Sequence, residues 1–69
     1  MQLSARNSFR GRVTAVERGA VNAEVTIALE GGGEIVSIIT LASCDRLGLV
    51  PGKAATAIVK ASDVMVATD

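Results

Sequence analysis

Residues 21–30, VNAEVTIALE, carry an apolar side chain at every second position, and this alternation limits what the chain can fold into. The apolar members are Val21, Ala23, Val25, Ile27 and Leu29. A period of two places them on one face of a β-strand and the intervening, mostly polar side chains on the other. The segment therefore predicts a strand in a sheet with one buried face and one wet face.

Four other segments are also typical of strands. Residues 8–16 alternate in the same way, and their predicted apolar side consists of Phe9, Gly11, Val13 and Ala15. Residues 34–40 and 53–61 are rich in β-branched or apolar side chains, and DVMVA at 63–67 predicts a fifth strand. The glycines at 31–33 suit a tight hairpin turn. The alternative, a phosphate-binding loop, would need a following helix and a Lys-Ser/Thr pair, which this stretch lacks.

Between the third and fourth predicted strands the alternation gives way to a helical pattern. Thr40 or Ser43 can cap a short helix, and Gly48 can end it. Leu41, Cys44 and Leu47 would share one face of this helix. Three strands, a short helix and two more strands are typical of small Greek-key barrels of the oligonucleotide/oligosaccharide-binding (OB) type. We therefore predict an all-β, five-stranded, OB-like barrel, with one short helix between strands 3 and 4, as a single domain over residues 1–69.

Composition predicts that the chain assembles with copies of itself. Of its 69 residues 49% are hydrophobic, but Phe9 is the one aromatic residue, Cys44 the one cysteine, and histidine is absent. A core of this size gives only about 3–5 kcal/mol of stability, and neither a disulfide nor a metal centre is available to add to it. Part of the aliphatic surface is therefore expected to be a subunit interface.

The same composition argues against several classes of function. A net charge of zero and a single aromatic residue argue against nucleic-acid binding, which uses basic grooves and aromatic platforms. No apolar run approaches the roughly 18–20 residues of a membrane span, and the first residues lack the apolar region of a signal peptide. We expect a cytoplasmic protein. Without histidine or clustered carboxylates, we expect no catalytic residues and no direct metal ligands.

Hydrogen-bond donors stand at the predicted ends of strands and of the helix. They form three pairs, Ser4 and Arg6, Thr40 and Ser43, and Lys60 and Ser62. Hydroxyls and cations are the groups that bind a tetrahedral oxyanion. Each residue also has a simpler explanation as a helix cap, a turn residue or a surface charge, and sequence spacing does not decide between the two.

A family resemblance favours the oxyanion interpretation. SARN at 4–7, GAVNAEV at 19–25, IVSIITLAS…LGL at 35–49 and VKASDVMVA at 59–67 together resemble the molbindins, small molybdenum-pterin-binding proteins also called Mop domains. The resemblance implies reversible binding of molybdate, and often tungstate, as the ligand, with no organic cofactor. It also implies molybdenum storage or homeostasis and a homohexamer built as a trimer of dimers.

The resemblance also implies which residues bind. The main sites would lie between subunits, with Ser4 and Arg6 contributed by one subunit and the remaining groups by its neighbour, namely Thr40, Ser43, Lys60, Ala61 and Ser62. Asn7 would rather fix the start of the strand. A second site is expected at the turn that contains Val21, Asn22 and Ala23; the equal alternative is that Asn22 only shapes that turn. Similar domains sense ligand in molybdate-responsive repressors and transport ATPases, so a regulatory module is the alternative function.

Overall fold

Four antiparallel strands and one short helix make up the fold in the computed structural model, which describes residues 4–69. The strands are β1 (Asn7–Arg18), β2 (Asn22–Leu29), β3 (Glu34–Thr40) and β4 (Ala54–Val59), and the helix α1 is Leu41–Leu47. A single turn of 3₁₀ helix, Ala61–Asp63, follows β4. The strands lie in the order β3-β2-β1-β4, so β3 and β4 are the two edges of the sheet. Within the described residues, no helix is long and apolar enough to cross a membrane.

The long strand β1 pairs with two other strands, both antiparallel to it. Its first half, from Asn7 to Arg12, pairs with β4, and its second half, from Gly11 to Arg18, pairs with β2. A β-bulge between Val13 and Ala15 interrupts the second pairing. Because the strand is shared along its length and bent at a bulge, the sheet curls and brings its two edge strands to opposite sides of one groove.

The bulge corrects one sequence prediction. Simple alternation put Ala15 on the apolar side of β1, but Ala15 is exposed and Val16 packs against the core instead. The reason is that a bulge inserts one extra residue and so reverses the facing of every side chain beyond it.

The core lies on the concave face of the sheet and under α1. Its buried members are Val13, Ala23, Val25, Ile27, Cys44 and Ala57. The strict alternation of β2 is confirmed for its middle positions, which point inwards, whereas Val21 is exposed before the strand begins. Cys44 is a buried free thiol, in agreement with its predicted role as a small core residue.

The predicted turns and helix ends are confirmed in their details. Gly32 and Gly33 adopt positive φ angles of 98° and 83° in the hairpin between β2 and β3. Thr40 caps α1, and Gly48 ends the helix in the left-handed conformation, at φ 65°. These are backbone angles that glycine adopts at low cost.

The predicted fifth strand is absent among the described residues. After the 3₁₀ helix, residues 64–69 form neither helix nor strand, and the amide of Val64 bonds only back to the carbonyl of Ala61. Met65 and Val66 are 94% and 85% exposed. A strand needs a neighbouring edge for its backbone groups, and this segment leaves β4 without meeting one in its own chain. The described sheet is therefore four-stranded and open between β3 and β4.

Candidate functional site

The hydroxyls of Thr40 and Ser43 meet at the start of α1. The Thr40 Oγ1 accepts a hydrogen bond from the Ser43 amide at 3.1 Å and donates one to the Ser43 Oγ at 3.0 Å. Because the Ser43 Oγ is the acceptor in that contact, its own proton stays free to bond a ligand. The pair predicted from sequence is thus brought together, and the capping contacts leave the Ser43 hydroxyl proton unused.

The segments that contain Arg6 and Lys60 lie next to each other at the N-terminal end of β1. The pairing of β1 with β4 begins at Asn7, the first residue of β1, which lies opposite Val59. Continuing this register by one residue puts Arg6 beside Lys60, and the pairing goes no further because Ala61–Asp63 is a 3₁₀ turn. Ser4 and Ser62 each lie two residues beyond these cations in the sequence. Within residues 4–69 neither cation forms an ion pair. Cations without a carboxylate partner are groups that can bind an anion.

Ala61 and Ser62 belong to the 3₁₀ helix that follows Lys60. The amide of Asp63 bonds to the carbonyl of Lys60 at 2.9 Å, which turns the chain directly after the lysine. All residues of this turn are exposed, as are Ser4 and Arg6. The groups predicted to bind the ligand are therefore accessible in a single chain.

The hydroxyl pair and the cation pair lie at opposite ends of β1. Arg6 precedes the first residue of the strand, whereas Arg18, its last residue, contacts α1. Twelve extended residues span up to about 40 Å before bending. Among the described residues no hydrogen bond or ion pair joins residues 4–6 or 60–63 to Thr40 or Ser43. Within one chain the predicted donors therefore form two separate groups, each a candidate half-site.

The turn proposed for a second site adjoins Thr40. The amide of Gly19 bonds to the carbonyl of Asn22 at 2.8 Å, and the amide of Leu41 bonds to the carbonyl of Val21 at 2.9 Å. Asn22 is the register partner of Thr40 across β2 and β3. Ala23 is buried and is paired with Arg18 on one side and Ile39 on the other. Sequence reasoning treated this turn and Thr40 as separate sites, but the fold makes them neighbours.

An ion pair that sequence reasoning did not predict stands beside these residues. Arg18 Nη1 lies 2.8 Å from Asp45 Oδ1, and Arg18 Nη2 lies 3.3 Å from Asp45 Oδ2. The hydrogen bond from Arg18, and then its charge, lowers the pKa of the Asp45 carboxyl, and the same contact raises the pKa of the guanidinium. The two residues are 27 positions apart in the sequence, so no local spacing indicates this pair.

The donors at these sites are suited to an anion rather than to a cation. Across residues 4–69 no three histidine, cysteine or carboxylate side chains come close enough to hold a metal ion. The candidate half-sites consist instead of hydroxyls, an amide, a guanidinium and an ammonium group, all of which donate hydrogen bonds.

The chain is similar to known proteins over nearly its whole length. Residues 3–66 match the TOBE domain. The chain belongs to the TOBE-domain family. Molybdenum-pterin-binding protein 3 of Clostridium pasteurianum is 46% identical to this TOBE domain over 66 residues, which cover 96% of the chain and 97% of that relative. The resemblance to the molbindins is therefore confirmed.

Two solved structures resemble this TOBE domain in fold. MopII from Clostridium pasteurianum superposes with a TM-score of 0.91 at 43% identity, covering 97% of this chain and all of that one. The cytoplasmic molybdate-binding protein ModG, solved with molybdate bound, gives a TM-score of 0.90 at 54% identity; the match covers 94% of this chain and 46% of that one. The prediction of an OB-like fold agrees with these likenesses.

Proposed function

We propose that this TOBE domain binds molybdate, and also tungstate, at sites formed between copies of the chain, and that it stores and buffers molybdenum in the cytoplasm. The observation that carries the proposal is the placement of cations at one end of β1 and of paired hydroxyls at the other end. The molybdate-bound ModG structure, at 54% identity, supports the choice of ligand.

A dianion leaves water only where several directed donors replace its hydration shell. Arg6 and Lys60 supply charge, whereas Thr40 and Ser43 supply oriented hydroxyls, and neither half-site alone surrounds a tetrahedral ion. A second copy placed antiparallel to the first would bring the cation end of one chain to the hydroxyl end of the other. Binding would then occur only in the assembly and would stabilise it by linkage.

An unfilled groove supports such an assembly. It has a volume of about 600 Å³, lies between β3 and β4, and is lined mainly by aliphatic side chains of Val25, Ile27, Ile35, Ile39, Ala55 and Ala57. An apolar opening of this size flanked by two free strand edges is a place for another strand. The exposed apolar residues 64–67 of a second copy are the occupant we propose, because they are the segment that lacks an edge in its own chain.

In this arrangement the fifth strand of each OB-like barrel comes from the partner. The reciprocal exchange forms a closed dimer in which the same surfaces are used twice. Three such dimers would form the predicted hexamer. The family's molybdate sites between subunits would then require both copies.

Isothermal titration of the purified protein with molybdate, tungstate and sulfate, with the oligomer mass measured by light scattering, tests this proposal. We expect molybdate and tungstate to bind and the mass to exceed that of a monomer. Arg6→Gln should weaken molybdate binding, whereas Arg10→Gln, which removes an exposed cation from the same strand outside the site, should leave it unchanged. A monomer that binds molybdate with full affinity would refute the shared site.

Storage and ligand sensing differ in what happens after binding. A storage protein releases its ligand to any acceptor as the free concentration falls, whereas a sensing module transmits binding to another domain. Dialysis of the loaded protein against molybdate-free buffer should therefore return the ligand without a change in oligomer mass. Release that requires a second protein would favour the regulatory alternative.

A further inference from the structure

Arg18 and Asp45 join the last residue of β1 to the middle of α1 through two parallel contacts. The nitrogens of one guanidinium face the two oxygens of one carboxylate at 2.8 Å and 3.3 Å. Such a forked contact fixes orientation as well as distance. Arg46, the next residue of the helix, is exposed and forms no ion pair within the described residues.

This ion pair closes a ring of contacts around the candidate site. Arg18 pairs with Ala23 between β1 and β2, and Asn22 pairs with Thr40 between β2 and β3. Thr40 caps α1, and α1 returns to Arg18 through Asp45. The ion pair is thus one of the contacts that orient α1, together with the buried Cys44 and the hydrogen bond from the Leu41 amide to the carbonyl of Val21.

We propose that Arg18 and Asp45 are positioning residues for oxyanion binding, since they hold α1 in the orientation in which the Thr40 and Ser43 hydroxyls face the ligand. The inference rests on the proposed function. Neither residue is placed in contact with the ligand; both act through the cap of α1.

Because the Arg18–Asp45 pair is exposed, a role in positioning α1 can be distinguished from a contribution to the stability of the whole protein. Both side chains are largely in water, and ion pairs in such places contribute little to the free energy of unfolding. Oxyanion affinity depends more strongly on the orientation of donors, which must be held within a fraction of an ångström. Loss of the pair should therefore alter ligand binding before it alters folding.

The test measures two quantities in wild-type protein and in Arg18→Gln, Asp45→Asn and the double variant. The first is the molybdate Kd; the second is the hydrogen exchange rate of the Ser43 amide, which donates to Thr40 Oγ1, in ligand-free protein. We expect each single variant to weaken the Kd and to speed exchange by about two- to five-fold, the range for one exposed ion pair. The double variant should be no worse than either single variant.

Arg46→Gln is the matched control, because it removes a cation from the same helix without touching the pair. It should leave both quantities unchanged, and the charge-swapped protein, Arg18→Asp with Asp45→Arg, should recover part of the lost affinity. Faster exchange with an unchanged Kd, an equal loss in Arg46→Gln, or independent losses that multiply in the double variant would each overturn the positioning role.

Wild-type protein that binds no molybdate would instead overturn the proposed function, and with it the binding role of this pair. The exchange rate of the Ser43 amide would still show whether Arg18 and Asp45 order the cap, because that measurement needs no ligand. Failure of the two proposals is therefore distinguishable in one set of samples.

Discussion

Gly11 and Ala28 approach so closely that no side chain fits between them. A Cβ built on Gly11 would lie 2.3 Å from the carbonyl oxygen of Ala28 and 2.7 Å from a methyl group of Ile27. Gly11 is also the point at which β1 pairs with β2 on one side and with β4 on the other. The curl of the sheet therefore depends on a glycine at this position, whose φ angle is otherwise ordinary.

Gly11→Ala should destabilise the protein because the new methyl group meets backbone, which does not move aside as a flexible side chain would. Overpacking of this kind costs about 1–3 kcal/mol in the free energy of unfolding. Chemical denaturation measures it. Gly31→Ala is the matched control, since nothing lies within 4 Å of its added Cβ and its φ is not positive. Equal stability of the two variants would contradict the close approach.

Sequence periodicity predicted the strands up to the point where the backbone departed from regularity. The alternation in β2 holds because that strand contains no inserted residue, whereas β1 breaks its alternation at the bulge. No residue type marks that bulge, because Thr14 and Ala15 fit a regular strand equally well. The segment at 63–67 has the composition of a strand but lacks an edge in its own chain, and composition does not report which chain supplies one.

We expect Cys44→Ala to destabilise the protein less than Cys44→Ser does. It is a fully buried thiol under α1, and its Sγ lies 3.9 Å from the carbonyl oxygen of Leu49, a weak contact. Cys44→Ser places a strongly polar group in the core and should cost about 1–3 kcal/mol in the free energy of unfolding. Cys44→Ala leaves only a small cavity, so its thermal midpoint should lie above that of Cys44→Ser. The reverse order would mean that the site is polar.

The residue types of the candidate site were predictable from the sequence, but their arrangement in space was not. Hydroxyls and cations stood out in the sequence, and the register of β1 and β4 now places Arg6 beside Lys60 at one end of the strand. Their separation from Thr40 and Ser43 follows from the length of β1 and from the pairing of Asn22 with Thr40. Both are properties of the fold that no local motif encodes.

The Arg18–Asp45 pair should make part of the stability depend on acid pH. The hydrogen bond from Arg18 lowers the pKa of Asp45 in the folded protein. A carboxylate with a lowered folded pKa stabilises fully above its unfolded pKa, about 3.9, and that contribution is lost as pH falls through the folded pKa. The difference in thermal midpoint between wild type and Asp45→Asn should therefore be constant around neutral pH, from about pH 6 to about pH 8. It should vanish at strongly acid pH.

Glu17→Gln provides the comparison for that pH series, since Glu17 is an exposed carboxylate with no ion pair in the described part of the chain. Its difference from wild type should not follow the titration of Asp45. A difference in thermal midpoint between wild type and Asp45→Asn that persists at strongly acid pH would show that the asparagine acts through something other than the lost charge.

A charge introduced at Val66 should disassemble the oligomer if residues 64–67 enter the groove of a second copy. Val66 is 85% exposed in the single chain, so Val66→Asp has no core of its own to disturb and should leave the monomer folded. Inside an apolar groove the same aspartate would be buried without a partner, which is strongly unfavourable. Light scattering should then report a lower mass, and molybdate binding should fall with it. Val50→Asp, at another exposed apolar position outside the groove lining, should retain both mass and binding. An intact oligomer in Val66→Asp would place the fifth strand elsewhere and leave the groove between β3 and β4 to a different occupant.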